Sequence, residues 1–335
     1  MVTDARVMRP EWLSQLKPFG QADRGKAIAQ LFTSLGPYAV VWAAMIISVR
    51  QGWPVLATTG LAVVAAGFLI RIFIIFHDCC HGSFFASRGA NRFWGYVTGI
   101  LTLTPFDVWR QSHARHHATA GDLDRRGSGD VFTMTVTEYR AATPMRRLGY
   151  RLYRNPLVMF GLGPAGSFII SQRFAPKGAD KRLRSSVAIT NLALLAILVI
   201  SWATVGWGTY VVLQVAVSWI AGIFGIWLFY VQHQFRDVYW ARHESWDRLQ
   251  AALAGSSYYK LPGLLQWVSG NIVFHHIHHL SPSIPNYNLS ACYEAIPEVQ
   301  EVKHLTLRTS LRCLGLALWD EEAGKLVRFR DVRPA

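Results

Sequence analysis

Four long apolar segments dominate the pattern of hydrophobic and polar positions along the chain. Residues 27–49 contain no Asp, Glu, Lys or Arg, and residues 53–76 contain only Arg71. A third uncharged stretch, 185–235, divides at the Gly-Trp-Gly of 206–208. At 1.5 Å per residue, each segment is long enough to cross a hydrocarbon core of about 30 Å. The pattern predicts four transmembrane helices in two hairpins: 27–49, 53–76, 186–206 and 209–232.

Arg71 is the single charge inside these segments. It lies within two turns of the end of its segment, so we expect its side chain to reach the membrane interface. Two shorter apolar stretches, 93–106 and 156–170, contain Gly and Pro. They are too short for a crossing and are predicted to be interfacial or partly embedded helices.

The polar segments 77–184 and 233–335 are predicted to form a helical cap that holds the functional site. We find neither an internal repeat nor a low-complexity tract. The expected fold is therefore an all-α integral membrane protein with a single domain over residues 1–335.

Composition and charge add sidedness to this picture. The chain is 51% hydrophobic, with a mean hydropathy of +0.20, yet its net charge is +14. Of its 34 Lys and Arg residues, 32 lie in segments 1–26, 77–184 and 232–335. Because cytoplasmic segments are enriched in Lys and Arg, both termini and the cap are predicted to be cytoplasmic. A nucleic-acid-binding domain would cluster its basic residues among polar ones, without long apolar segments.

Residues 1–26 contain acidic residues and do not resemble a cleavable signal peptide, so the first apolar segment is expected to direct membrane insertion. The four cysteines are too few for a disulfide framework and indicate a reducing compartment.

The histidines carry the candidate chemistry. Nine of the twelve occur in three short motifs, HDCCH, HARHH and HHIHH. Eight of these nine form one HxxxH and two HxxHH patterns: His77, His81, His113, His116, His117, His275, His278 and His279. On a helix, the i, i+3 and i+4 offsets place imidazoles on one face, as chelation of a metal requires. Two HxxHH motifs in one chain have a chance probability of roughly 10⁻⁴. We therefore interpret them as metal ligands, whereas isolated histidines such as His243 and His304 are expected to be structural.

The position of the motifs supports one shared site. His77 follows the second apolar segment and His233 follows the fourth, so both lie at the same side of the membrane as the other two motifs. Eight or nine histidines exceed the three or four ligands of one zinc ion, which indicates more than one ion. Imidazole also suits Cu, Fe and Ni, and iron is the favoured candidate. Only one Glu-x-x-His element occurs, at 301–304, which argues against a ferritin-type carboxylate site.

Carboxylates that support the imidazoles are expected near such a site. The candidates are Asp78, Asp107 and Asp237. A metal pair at the membrane surface, beside apolar helices, indicates a lipid or hydrocarbon substrate. Removal of two hydrogens would give an alkene and insertion of oxygen an alcohol, and the spacing does not distinguish the two outcomes.

The stretches HDCCHGSFF, SHARHHATAGDLD, LFYVQHQF and GNIVFHHIHHLSPSIPNYNL resemble those of membrane-bound fatty acid desaturases. The resemblance covers about residues 70–300 and is strongest to acyl-lipid enzymes of the omega-6 or delta-12 type. It implies a non-haem centre of two iron ions, O₂ as cosubstrate, and two electrons from a separate ferredoxin or b-type cytochrome. It also implies nine ligands: the eight histidines of the HxxxH and HxxHH patterns and His233. The di-iron centre itself would be catalytic, and no separate protein base is predicted.

The resemblance has a departure and an addition. Some relatives have an Asn ligand one turn before the histidine at the His233 position, and Phe229 stands there in this chain. Asn271, one turn before His275, is a possible substitute. The additional His276 is predicted to support the ligands or to pack. Cys79 and Cys80 are expected to be packing residues, because their side chains diverge from the histidine face.

Two further segments have two interpretations each. Residues 109–111 either contact a lipid headgroup or anchor the protein at the interface. Residues 122–126 either dock an electron donor or form a solvated loop.

The leading hypothesis is a desaturase that introduces a cis double bond into a membrane fatty acyl chain. The alternatives are an alkane or lipid hydroxylase of the same metal architecture and, less favoured, a histidine-rich metal transporter or store. A transporter would place its ligands within the spans, whereas these motifs lie at the span ends. The sequence shows no C-x-x-C cluster or haem-binding segment, so a separate electron donor is expected. It predicts neither the substrate-binding residues, the double-bond position nor the oligomeric state.

Overall fold

The computed structural model describes residues 10–127 and 129–332, and it is mostly helical. A 3₁₀ helix, Glu11–Gly20, precedes the first α-helix. The α-helices are α1 (Arg24–Arg50), α2 (Val55–His81), α3 (Arg88–Leu101), α4 (Phe106–Thr119), α5 (Val136–Ala141), α6 (Pro144–Tyr153), α7 (Lys181–Thr204), α8 (Trp207–His233), α9 (Arg248–Leu253), α10 (Gly263–Val268), α11 (His275–Leu280), α12 (Asn286–Ala295) and α13 (Leu307–Ser310).

Helices α1, α2, α7 and α8 are long and apolar enough to cross a membrane, which confirms the four predicted spans. They contain 24 to 27 residues, or about 36–40 Å at 1.5 Å per residue, and so exceed a hydrocarbon core of about 30 Å. At the C-terminal ends of α2 and α8, histidines occupy the last turns of the helix. Helix α2 continues beyond residue 76 to His81, where Gly82 ends it in the left-handed conformation (φ 74°). Helix α8 ends at His233.

The two hairpins, α1–α2 and α7–α8, lie side by side. Their tips meet where the Arg50 guanidinium donates to the carbonyl oxygen of Thr204. In the middle, the small side chains of Ala62, Ala65 and Ala66 on α2 belong to an apolar cluster with residues of α1 and α8. Small residues let helices approach closely where lipid provides no hydrophobic driving force between them. Helix α2 is consequently the central helix, buried over more of its length than the other three.

Helices α3 and α4 follow α2 and fold back against it. The predicted helix 93–106 is divided in the structure, because α3 ends at Leu101 and Phe106 begins α4. Gly99 on α3 lets the turn before α4 pack closely against α3 and Phe76 of α2. An added Cβ would lie 2.6 Å from the carbonyl oxygen of Thr104 and 2.9 Å from Cε2 of Phe76. This contact places α4 beside the end of α2.

The apolar stretch 156–170 forms two π-helical segments, Leu157–Leu162 and Ala165–Ile170. They pack against α8 at Gly222, where an added Cβ would lie 2.7 Å from Cβ of Pro164.

The cap also contains short strands, so the expectation of a wholly helical cap was incomplete. These strands are β1 (Met134–Thr135), β2 (Tyr258–Lys260), β3 (His304–Thr306), β4 (Leu316–Asp320) and β5 (Lys325–Arg328). Strand β4 pairs in parallel with β1 and antiparallel with β5, and β2 pairs in parallel with β3. The buried Arg154 joins this region to α8, because its Nη2 donates to Oε1 of Gln234 (2.8 Å) and to the carbonyl oxygen of Leu316 (2.7 Å).

Candidate metal centre

Nine histidines from four helices converge where α2 and α8 end. In each of two groups, one ring nitrogen from every histidine lies within 4.8 Å of the others. We call them the five-histidine group (His77, His81, His113, His117 and His278) and the four-histidine group (His116, His233, His275 and His279). The two groups adjoin, because the rings of His117 and His279 stack with centroids 4.3 Å apart. The structure thus brings together all nine histidines that the sequence analysis singled out.

Helical geometry explains how the motifs divide between the groups. In α4, His113 and His117 are spaced i, i+4 and enter the five-histidine group, whereas His116 turns into the other. Helix α11 mirrors this arrangement, because His275 and His279 enter the four-histidine group and His278 enters the five-histidine group. Residues three and four apart lie on one face but on either side of its midline. Each HxxHH motif therefore contributes to both groups.

The nitrogen positions fit bound cations. The Nε2 atom of His113 lies 3.0 Å from Nε2 of His77 and 3.1 Å from that of His117, which in turn lies 2.9 Å from that of His278. A ring nitrogen has either one hydrogen or one lone pair, so it cannot form hydrogen bonds with two such neighbours. Nitrogens bound at right angles to one ion at about 2.1 Å would be about 3.0 Å apart.

The four-histidine group shows the same spacing. The Nε2 atom of His275 lies 2.9 Å from that of His233 and 3.1 Å from that of His279. Within the described chain, Nε2 of His81 and both ring nitrogens of His116 are buried without a hydrogen-bond partner. Buried polar atoms are nearly always satisfied, and a cation in each group would satisfy these Nε2 atoms. The residues present therefore fit a metal pair.

Two hydrogen bonds orient the rings of His77, one turn before the end of α2, and of His233, the last residue of α8. Nδ1 of His77 donates to Oδ1 of Asp78 (2.9 Å), and Nδ1 of His233 donates to the carbonyl oxygen of Gly255 (3.0 Å). A proton on Nδ1 leaves the Nε2 lone pair directed into the groups. Asp78 also accepts from the backbone N–H (2.6 Å) and Nδ2 (2.8 Å) of Asn286. Asn286 was not predicted from the sequence, although it lies in the stretch SPSIPNYNL that carried part of the resemblance.

Burial keeps the imidazoles of α4 and α11 neutral. It is the main cause that lowers their pKa well below 6.5, and the neighbouring imidazoles lower it further, at His113, His116, His117, His275, His278 and His279. Neutral imidazole is the form that binds a metal. The histidines are thus ready to act as ligands at neutral pH.

A family model described as fatty acid desaturase matches residues 51–310 of the chain. The chain belongs to the fatty acid desaturase family. A fatty acid desaturase of Bacillus subtilis (strain 168) is 46% identical over 95% of this chain and 90% of the relative. An sn-1 oleoyl-lipid 12-desaturase of Synechocystis sp. is 26% identical over 82% of the chain and 76% of the relative. An sn-1 acyl-lipid omega-3 desaturase (ferredoxin) of Nostoc sp. (strain 36) is 29% identical over 68% of the chain and 64% of the relative.

The family and the enzyme class predicted from the sequence are thus confirmed, as are the four helices able to span a membrane. The residues predicted to support the imidazoles differ in whether they contact the two groups. Of the three aspartates, the structure places Asp78 alone in hydrogen-bonding contact with a histidine of either group. Asp107 is buried, but it accepts from the hydroxyl of Tyr96 (2.8 Å). Asp237 is exposed and pairs with Nζ of Lys303 (2.9 Å). Within the described residues, neither Asp107 nor Asp237 forms a hydrogen bond with a histidine of either group, so the structure does not place them in the supporting role expected from the sequence.

Asn271 and His276 also lie outside the two groups. Asn271 has a left-handed backbone (φ 60°), and its side chain donates to the carbonyl oxygen of Asn286 (3.4 Å), so it reaches the desaturase site only indirectly. His276 is buried beneath α11, where Nε2 donates to the carbonyl oxygen of Val299 (2.9 Å). Burial lowers the pKa of His276 to about 3. His276 is therefore a packing residue, one of the two roles expected for it.

Aromatic side chains border both groups of the desaturase. Trp109 stacks on His113, with ring centroids 4.2 Å apart and an interplanar angle of 22°. It thus forms part of the border of the five-histidine group. Phe229 stands where the resemblance implied an Asn ligand, and the centroid of its ring lies 5.2 Å from those of His116 and His233. It brings an apolar surface where an amide ligand was considered.

Other candidate residues have structural partners. Cys79 and Cys80 are buried in an apolar cluster and belong to neither histidine group. In the loop 122–126, Asp124 accepts from Nη1 of Arg242 (2.8 Å), and the buried Asp122 accepts from Nδ1 of His243 (2.8 Å). The loop is thus held to the segment that follows α8.

Proposed function

We propose that this member of the family introduces a cis double bond into the acyl chain of a membrane lipid, using O₂ and two electrons at a pair of iron ions. The observation that carries the proposal is the pair of adjoining histidine groups, with Nε2 separations of 2.9 to 3.1 Å, at the ends of two membrane helices. The five-histidine group would hold one iron and the four-histidine group the other.

Bound iron would supply the oxidising power to remove hydrogen from an unactivated C–H bond. The chain's own residues hold and insulate this centre. Asp78 and the carbonyl oxygen of Gly255 fix the tautomers of His77 and His233. The rings of Trp109 and Phe229 exclude water from one side of each group. Exclusion of water protects an oxidising site from side reactions. We assign no separate protein base.

Two relatives support the choice of a lipid substrate and of an electron donor. Their names specify an sn-1 oleoyl-lipid and an sn-1 acyl-lipid as substrates, and the second also specifies ferredoxin. We extend both features to this chain as part of the proposal, with a b-type cytochrome as the alternative donor. The centre lies at the ends of apolar helices, so an acyl chain can reach it from the bilayer.

We further propose that both termini and the metal centre face the cytoplasm. Support comes from the distribution of Lys and Arg, because 32 of the 34 lie in segments 1–26, 77–184 and 232–335, outside the long apolar segments and the hairpin tips. The contact between the two hairpin tips supports a common opposite side. Electrons would then arrive from the cytoplasm.

Expression in a host that contains only saturated and monounsaturated lipids tests the reaction. We expect gas chromatography of the fatty acid methyl esters to show a new alkene, and its position gives the regiochemistry. A new hydroxy ester without a new alkene would instead identify a hydroxylase. Purified protein should contain about two irons per chain, and zinc alone without O₂-dependent chemistry would favour a metal transporter or store.

A matched pair of variants links the activity to the groups. His278→Ala should abolish the new alkene by removing a ligand of the five-histidine group. His276→Gln should retain it, because His276 lies outside both groups and Gln can still donate toward Val299. Equal activity in the two variants would contradict the proposed ligand set.

A further inference from the structure

A polar cavity of about 290 Å³ lies beside the metal centre, between α1, α2, α10 and the start of α12. Its lining includes one arginine and four carboxamides: Arg71, Gln30, Gln266, Asn271 and Asn286. Tyr287 also lines it, but its hydroxyl donates to the carbonyl oxygen of Phe84 (3.0 Å). None of these residues belongs to either histidine group. The proposed reaction does not require a cavity of this composition.

Arg71 is held inside the protein and does not extend along the lipid surface. Only 9% of the residue is exposed, its guanidinium stacks 4.0 Å above the ring of Trp267, and Nη1 donates to the carbonyl oxygen of Trp267. Within the described residues, its Nε is buried without an acceptor, and no carboxylate forms an ion pair with it. Charges in such surroundings are normally paired. The cavity therefore offers a positive charge and an unused donor.

Gln30 provides the complementary group. The carboxylate of Asp78 accepts from Nδ2 of Asn286 (2.8 Å), which directs Oδ1 of Asn286 toward Gln30. Nε2 of Gln30 donates to that oxygen (3.0 Å), and Oε1 of Gln30 remains buried without a donor in the described chain. The acceptor-only carboxylate thus fixes the orientation of both amides. A ligand that fits must bring an anionic acceptor for Arg71 and a donor for Gln30.

The surroundings of the cavity indicate where such a ligand comes from. Helix α10 lines the cavity and also exposes Leu264 and Leu265, at 71% and 41%, together with Trp267 at 40%. Exposed leucines with a tryptophan, beside a membrane-spanning helix, are typical of the membrane interface. Phosphodiester groups of lipids lie at that depth. Arginine also suits phosphate well, because its planar donors match the oxygens.

We propose that this cavity binds the headgroup of a phospholipid that combines a phosphodiester with a hydroxyl or ammonium donor. The phosphodiester oxygens accept from Arg71 and from neighbouring carboxamide N–H groups. The headgroup donor satisfies Oε1 of Gln30. Because Asn286 contacts both Gln30 and Asp78, an occupied cavity also steadies the hydrogen bonds that orient His77. Binding of the headgroup requires neither the metal nor the proposed reaction.

Binding to the full-length protein tests the site without an activity assay. The protein is delipidated in a neutral detergent and titrated calorimetrically with dihexanoyl phosphatidylglycerol. Dihexanoyl phosphatidylcholine lacks the headgroup donor, dihexanoylglycerol lacks the phosphate, and inorganic phosphate lacks the lipid. We expect phosphatidylglycerol to bind most tightly and dihexanoylglycerol at least about tenfold more weakly, since a charged pair is lost. Equal binding of dihexanoylglycerol would overturn the proposal, and equal binding of inorganic phosphate would refute a lipid as the source.

Variants provide the control. Arg71→Gln should weaken phosphatidylglycerol binding by about tenfold or more. Arg173→Gln should leave it unchanged, because Arg173 is a partly buried arginine that donates to Asn191 (2.8 Å) away from the cavity. If Arg71→Gln does not fold, Gln30→Glu replaces it, since this substitution adds a carboxylate to the cavity at almost constant volume. Affinity equal to that of the unmodified protein in the folded variant would overturn the proposal.

Discussion

The substitution Asp78→Asn changes one atom of a buried carboxylate that orients a proposed iron ligand. Oδ1 of Asp78 accepts from Nδ1 of His77, and Oδ2 accepts two hydrogen bonds from Asn286. An amide has one acceptor oxygen and one donor nitrogen. If its nitrogen faces Asn286, it meets the backbone N–H and Nδ2 of that residue, which are also donors, so no hydrogen bond forms. If its nitrogen faces His77, the imidazole must move its proton to Nε2 and thereby loses the lone pair for the metal.

The expected magnitude follows from this conflict. Both orientations weaken the five-histidine group, and loss of such a supporting partner typically lowers metal affinity or activity by about 10- to 100-fold. That range corresponds to about 1.4 to 2.7 kcal/mol of binding free energy. We therefore expect Asp78→Asn to bind iron at least about tenfold more weakly than the unmodified protein.

The assay is iron binding in competition with a chelator of known affinity, with metal content measured by mass spectrometry. Asp237→Asn is the matched control, because Asp237 is exposed and pairs with Lys303 on the surface. We expect the control to bind iron normally. An iron affinity of Asp78→Asn within about threefold of the unmodified protein would refute the reasoning from the tautomer of His77.

Three further predictions concern ligands, packing and the cap. His116→Ala should abolish activity and lower the iron content well below two per chain, because it removes a ligand of the four-histidine group. Undiminished turnover would contradict the assignment of His116 as a ligand. Gly99→Ala should lower the free energy of unfolding in detergent by about 1–3 kcal/mol, because the added methyl group overpacks the turn. Gly60→Ala should be tolerated, because nothing lies within 4 Å of the added Cβ. Equal melting temperatures of the two variants would contradict the close contact at Gly99. Arg154→Met should destabilise the protein by about 2–5 kcal/mol, since it leaves buried acceptors unpaired. Thermal unfolding monitored by circular dichroism measures this loss, and a melting temperature equal to that of the unmodified protein would disprove it.

The membrane helices could be predicted from sequence because length and hydropathy alone determine which segments can cross a bilayer. The residues at which these helices end were harder to predict. Hydropathy falls at His77, so the second span was predicted to stop at residue 76, although the helix continues for five more residues to His81. The short strands of the cap were also missed, because segments such as β1, with two residues, are too short for a periodic pattern.

The histidine ligands were recognisable because their spacing is local, whereas their partners are distant in sequence. Asn286 lies 208 residues from Asp78, and nothing in the local pattern around either residue shows that they meet. Proximity along the chain is a poor guide in the case of Asp107, which lies six residues before His113 on α4 but accepts a hydrogen bond from Tyr96. A single sequence indicates which residues share a helix face, and tertiary packing decides which carboxylates reach the rings.

Because α4 and α11 each supply ligands to both histidine groups, we expect the two groups to bind metal cooperatively. Each of these helices supplies ligands to both histidine groups, so an ion bound in one group fixes backbone that the other group also needs. Binding at two sites that depend on the same ordered element is positively cooperative. We expect titration of the metal-free protein with Fe²⁺ to be sigmoidal, with singly loaded protein scarce in native mass spectra. A simple hyperbolic titration with abundant singly loaded protein would contradict this coupling.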